Sequence, residues 1–296
     1  MPDPPYRSQE ITAAKPSGLA VSEQTYRPRS RAAMRARVHV PLWGSLLAMY
    51  AGIWLHQPLF SLAALPVIFG MLGYNLVRRR KMVRLFRASD EGVAMLNSGD
   101  LVAAGNVFDA LASQAANVPI AHALFVFNRG VTYMREGRTD RAIELISRAH
   151  DSKWLENKAL GVAPLIASGL GTCYAIKGEL DAAERWQREA HAQVAPAKRG
   201  MLMVLDAVIE CRRGRFADAA GRIANDWSLG EGSLNAAQLR SLRLLRAFAM
   251  EQTGGDDAEI AKIIEGARPF RSGEQDYLAV SWPEYRAFLV KHGFVA

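Results

Sequence analysis

Six histidines, two cysteines and a small acidic cluster are the residues with which this chain could do chemistry. Metal binding or nucleophilic catalysis needs such groups in concert: ligands one helical turn apart, or a nucleophile within reach of a base. His39, His56, His122, His150, His191 and His292 include no i, i+4 pair, and neither Cys173 nor Cys211 has a partner at ligand spacing. No phosphate-cradling P-loop and no G-x-S-x-G nucleophile elbow occurs. Gly169-Leu170-Gly171 is a lone G-x-G inside an apolar helical pattern, where helix packing explains it better than phosphate binding. Glu251, Asp256, Asp257 and Glu259 read as a solvated turn and helix start rather than a metal site. The two thiols lie in apolar helical patterns, and two in a chain of this length give no disulfide framework. The expectation is no catalytic residue, no metal and no cofactor: a chain that acts by binding.

The elements that would present a binding surface are repeated. In residues 127–142, Gly130 is followed at +3 by Tyr133, at +7 by Gly137 and at +12 by Ala142, with Ala149 at +19. Gly171 leads to Tyr174, Gly178, Ala183 and Ala190 at the same offsets. Upstream, Gly92 leads to Met95, Gly99 and Ala104; downstream, Ala207 leads to Gly214 and Ala219. A fifth, weaker unit runs from Ala247 to Gly254, where an extra Gly255 shifts the later positions by one. The +7 glycines are spaced by 38, 41, 36 and 40 residues. A small residue at the start and Ala at +12 let two helix axes approach to about 8–10 Å. Gly at +7 adopts the left-handed conformation that ends the first helix. Asp100, Thr139, Asp181 and Asp218 then open the second with capping or acidic side chains. Each unit is thus predicted as helix–turn–helix, which must stack to bury its apolar face.

This pattern resembles the tetratricopeptide repeat, over residues 89–269. It departs from the family in lacking the early Trp, in placing Gln187 in a large-apolar slot, and in exceeding the family period of about 34 residues. Longer connections, such as residues 151–161, must absorb the excess. The resemblance implies a concave groove lined by the first helices. Its positions fall on Leu124, Phe127, Val131 and Met134, then Leu165, Ser168 and Thr172, then Met201, Val204 and Val208, then Leu244 and Phe248. An apolar face of this kind suits an apolar helix or peptide of a partner protein. Packing of these side chains on neighbouring repeats, or on the chain's own C-terminal helix, is the competing reading. The family's carboxylate clamp is absent. Asn128 matches one clamp position, but Ser89 and Val93 before it, and Leu165 and Gly169 after it, do not match the others. Residues 270–296 are predicted as one further, capping helix, starting at Ser281-Trp282-Pro283-Glu284 and stopping at Lys291-His292-Gly293. Tyr277, Trp282, Tyr285 and Phe288 would be its contacts.

The N-terminal third reads differently. Residues 24–88 hold no Asp or Glu, and 40–77 are almost wholly apolar except around His56-Gln57-Pro58. A membrane-crossing helix needs about 20 apolar residues, so two short spans, 38–55 and 59–77, are predicted as a transmembrane hairpin. Arg35 and Arg37 before it, and Arg78, Arg79, Arg80 and Lys81 after it, would keep both termini cytoplasmic and rest on anionic headgroups. Residues 1–37, rich in Pro and Arg, are predicted as a disordered basic tail, and 78–88 as a basic linker. The formal charge of +8 is concentrated here. Residues 1–89 hold thirteen basic and three acidic residues, against 24 and 26 in the remainder, which argues against a nucleic-acid partner.

The expected architecture is therefore all-α: a two-helix transmembrane hairpin followed by an α-solenoid of four to five units. The expected function is a scaffold in a bacterial cytoplasmic membrane that recruits a protein through a cytoplasmic groove. The alternative is an accessory subunit of a larger membrane complex assembled through the hairpin.

Overall fold

The computed structural model describes residues 44, 47, 50, 54, 58–156, 161–269 and 273–295; within its first long helix the side chains of residues 58–68, 71, 75 and 78 are outside that description. Among the described residues all regular structure is helical, so the chain is all-α. Helix α1 (Pro58–Ser98) is followed by α2 (Leu101–Gln114), and α3 (Pro119–Arg135) by α4 (Thr139–Asp151). Then come α5 (Ala163–Lys177) with α6 (Leu180–Gln193), and α7 (Met203–Arg212) with α8 (Phe216–Asn225). A short α9 (Trp227–Glu231) precedes α10 (Ala236–Gln252) and α11 (Asp257–Glu265), and two short helices, α12 (Asp276–Ala279) and α13 (Pro283–Lys291), end the chain. Within each pair the two helices pack together, and the first members α1, α3, α5, α7 and α10 also pack each on the next.

The pairing follows from the glycines at +7. Gly99, Gly137, Gly178, Gly214 and Gly254 all have φ between 68° and 83°, a conformation a side chain would strain. In every pair the residue after this glycine donates its N–H, at 2.9–3.0 Å, to the carbonyl five residues earlier: Met95, Tyr133, Tyr174, Glu210 and Met250. This is the Schellman closure of a helix C-terminus. The weaker fifth unit has the same closure. Its extra residue falls after the cap, where Asp256 accepts from the N–H groups of Ala258 and Glu259 to start α11.

The small residues sit where the helices cross. A Cβ on Gly130 would lie 2.6 Å from Ile146 Cγ1 and 3.4 Å from the Ala142 carbonyl oxygen, its +12 partner. On Gly171 it would lie 3.4 Å from the carbonyl of Ala183, again the +12 residue, and 3.0 Å from Leu205 on the next pair. Gly169 meets Phe127 and Ile146 of the preceding pair. Both glycines of the G-x-G thus serve packing. The excess spacing is taken up partly by a 3-10 turn, Pro196–Leu202, and by α9.

Two boundaries differ from expectation. The second predicted span, the basic linker and the first repeat helix are one continuous helix of 41 residues. A change from apolar to basic residues alters the helix surface but leaves the backbone ladder intact, and nothing between Gly73 and Gly92 breaks it. The C-terminal region forms two helices rather than one. Pro283 cannot donate an N–H, and Trp282 before it is extended (φ −137°, ψ 81°), so α13 starts anew at the expected Pro283 and stops at Lys291 as expected.

Residues 1–37 and most of 38–57, including Arg35, Arg37 and His56-Gln57, lie outside the described residues, although Gly44, Leu47, Tyr50 and Trp54 are helical and exposed. Among the described residues no helix is long and apolar enough to cross a membrane. Phe69, Leu72, Tyr74, Leu76 and Val77 of α1 are exposed by half or more of their surface. Arg79, Arg80 and Lys81 are also exposed, and Arg78 is helical.

Candidate functional site

The surface formed by the first members of the pairs is graded along the helices. Leu124, Leu165 and Met201 occupy equivalent places in the N-terminal half of their helices or just before them, and are half-buried to exposed, Leu165 at 37%. One turn on, Phe127 and Leu244 are buried, while Ser168 and Val204 are half-buried. One turn further, Val208, Thr172 and Phe248 are buried and Val131 is half-buried; Met134 is also buried. Phe127, Met134 and Val208 therefore do not face a ligand as the groove reading requires. Phe127 fills the space over Gly169 between consecutive pairs. The residues of the expected groove that keep partial exposure are Leu124, Val131, Leu165, Ser168, Met201 and Val204.

The closed end is covered by the chain itself. The C-terminal segment runs across the C-terminal ends of the first helices. Arg135 at the end of α3 lies over the Tyr277 ring at 4.7 Å. Arg212 at the end of α7 donates to the Ser281 carbonyl at 2.8 Å and also to the Ala175 and Ile176 carbonyls that end α5. Phe248 on α10 is surrounded edge-on by Phe216, Trp282, Tyr285 and Phe288, at centroid distances of 5.2–5.7 Å. The short α12 of the same segment packs on α3 and α5, so the segment does not cap only the last pair. Asn128, the clamp-like residue, is occupied internally by a long contact to Ser89 Oγ at 3.5 Å.

At the edge of this segment, His292 and Lys291 bind Glu251 at 2.9 and 3.1 Å. Burial pushes the Glu251 carboxyl up, but the hydrogen bonds from His292 and Lys291 outweigh it and hold the group below its ordinary value of 4.5. A carboxyl depressed on folding stabilises the fold above its unfolded pKa and loses that contribution as pH falls through the folded one. Protection of α13 against native-state hydrogen exchange should therefore weaken as pH drops below about 4.5, by less than about 1 kcal/mol for so exposed a pair. In Glu251→Gln the step should disappear; its persistence would assign it to another group.

A buried polar cluster sits between α6, α7 and α8. Asp206 and Glu210 on α7 are 5% and 3% exposed. Asp206 accepts from Gln187 at 2.7 Å and pairs with His191 at 2.9 Å. Glu210 pairs with Arg222, and burial pushes its carboxyl above the usual range while Arg222 pulls it back in part. Sequence reasoning noted Gln187 only as a departure from an apolar slot. The signal was there: that polar slot and two acids inside the apolar run around Ala207 belong to one network. The cluster ties consecutive pairs together. His150 to Glu189 joins α4 to α6 in the same manner.

No cluster of three metal-ligating side chains occurs among the described residues. Burial pushes the Cys173 and Cys211 thiols up to about 12, so both stay protonated and unreactive near neutrality. Compared with protein-family models, curated proteins and solved structures, the chain matches none.

Proposed function

We propose that this chain is a membrane-anchored scaffold: a transmembrane hairpin at 38–77 holds a tetratricopeptide-like solenoid at the cytoplasmic face of a bacterial inner membrane, where it recruits a protein partner. The observation that carries the reading is the continuity of α1, which joins the second half of the apolar segment to the first repeat helix without a break. From Val77 to Ser89 such a helix rises about 18 Å, at about 1.5 Å per residue. The repeat domain is then held at a set height, and a partner in the same membrane meets it at raised effective concentration. The exposed apolar side chains of α1 between Phe69 and Val77 are supported as lipid-facing by the exposed Arg79, Arg80 and Lys81 that follow. The partner, an apolar helix or extended peptide, lies on the accessible row of Leu124, Leu165, Met201 and Val204. The same geometry serves an accessory subunit of a larger membrane complex, with the hairpin packing on other spans.

Membrane anchoring is tested by alkaline carbonate extraction. The full chain should stay with the membrane pellet, and a chain lacking residues 40–77 should move entirely to the supernatant. Full-length protein released by carbonate would reject the hairpin.

A further inference from the structure

A cleft of about 450 Å³ lies between the end of α8, α9, α10 and α11. Its volume is within the range of small-ligand sites, about 300–1,000 Å³. Trp227 and Ile263 supply apolar wall, and Arg243, Arg246 and Lys262 border it, against a single carboxylate, Glu259. The cations are incompletely matched. Arg246 donates through Nη2 to Glu259 at 2.6 Å, while its Nε is buried without an acceptor. Arg243 donates through Nη1 to the Gly266 carbonyl, with its guanidinium 4.9 Å from the Trp227 ring centroid. Lys262 is exposed and makes no ion pair among the described residues. Glu259, with 46% of its side chain exposed, is a weakly held surface carboxylate that another anion can displace.

We propose that this cleft binds a phosphomonoester, the phosphate lying among Arg243, Arg246 and Lys262 and the organic body against Trp227 and Ile263. Two guanidinium forks and an ammonium match the oxygens of a phosphate, which accepts several charge-assisted hydrogen bonds at once. The indole and isoleucine favour a ligand with an apolar or planar body over inorganic phosphate. This site is independent of the membrane and groove readings.

The test is calorimetric titration of the full chain with adenosine monophosphate, with inositol 1-phosphate, and with adenosine as the uncharged control. Both phosphates should bind and adenosine should not. Tighter binding of the nucleotide supports the contact of a planar body with Trp227 and Ile263; tighter binding of the inositol phosphate, a polar polyol, would contradict it. Lys262→Glu should weaken binding about tenfold through lost and reversed charge. Glu259→Gln should tighten it, since it removes the competing carboxylate. No heat with either phosphate, adenosine binding as well as its monophosphate, or affinity unmoved by both variants would overturn the proposal.

Discussion

Phe248→Ala should destabilise the protein by about 3–5 kcal/mol, the cost of emptying a large aromatic site in a packed core. Phe248 is fully buried and touches four other rings edge-on, an arrangement that adds to simple area burial. Three of those rings, Trp282, Tyr285 and Phe288, belong to the C-terminal segment, so the loss falls mainly on its docking. The first consequence should be local: trypsin should cut at Arg286 and Lys291 in the variant while the rest of the repeat domain remains resistant. The unfolding midpoint should drop by about 6–20 °C for a domain of this size. A variant with unchanged midpoint and an uncleaved C-terminus would mean that the segment is held by contacts elsewhere, such as Arg212 to Ser281.

Arg129→Met should cost about 2–4 kcal/mol. Arg129 is 9% exposed, and its guanidinium bonds Asp109 of α2 through Nε and Glu136, the C-cap of α3, through Nη1. It also stacks on Tyr133 at 3.8 Å. Burial opposes its charge, but Asp109, Tyr133 and Glu136 more than offset that, so it stays protonated. Removing it takes the shared guanidinium from two carboxylates with 16% and 21% side-chain exposure, and leaves Glu136 only the longer 3.7 Å contact to Arg138. Their partial exposure keeps the cost below that of a fully buried pair. Arg129→Lys should recover little, because an ammonium offers neither the planar fork nor the stacking face. Adding Asp109→Leu and Glu136→Gln to Arg129→Met should restore most of the stability, which denaturant titration measures. Strictly additive losses in the triple variant would contradict the network account.

The parts of this fold that were legible in the sequence are those where one residue type has one physical use. Gly at +7 could be read as a helix end because left-handed backbone is cheap only for glycine, and all five such positions adopt it. Gly130 and Gly171 could be paired with Ala142 and Ala183 because only small residues fit a close helix crossing. The single helix through residues 58–98 was not legible at its seams, since polarity changes at residues 77 and 88 while helix propensity does not. Nor was the path of the C-terminal segment. The spacing of Tyr277, Trp282, Tyr285 and Phe288 reveals an apolar face, but not that Arg135, Arg212 and Phe248 on three different pairs receive it. The expected groove was overdrawn for the same reason. Register places Phe127, Met134 and Val208 on the first helices but does not say how much of each side chain the neighbouring pair and the C-terminal segment consume.

The central claim is recruitment of a partner through the accessible row of the first helices. It is tested most directly by purification from native membranes in mild detergent, comparing the wild-type chain with Leu165→Glu plus Val204→Glu, after both show equal helicity and thermal stability. Neither site is fully buried, so two carboxylates there should be tolerated by the fold and should repel an apolar ligand. The account predicts a protein that co-purifies with the wild type and is lost from the double variant. The same set of proteins recovered with both forms would contradict it.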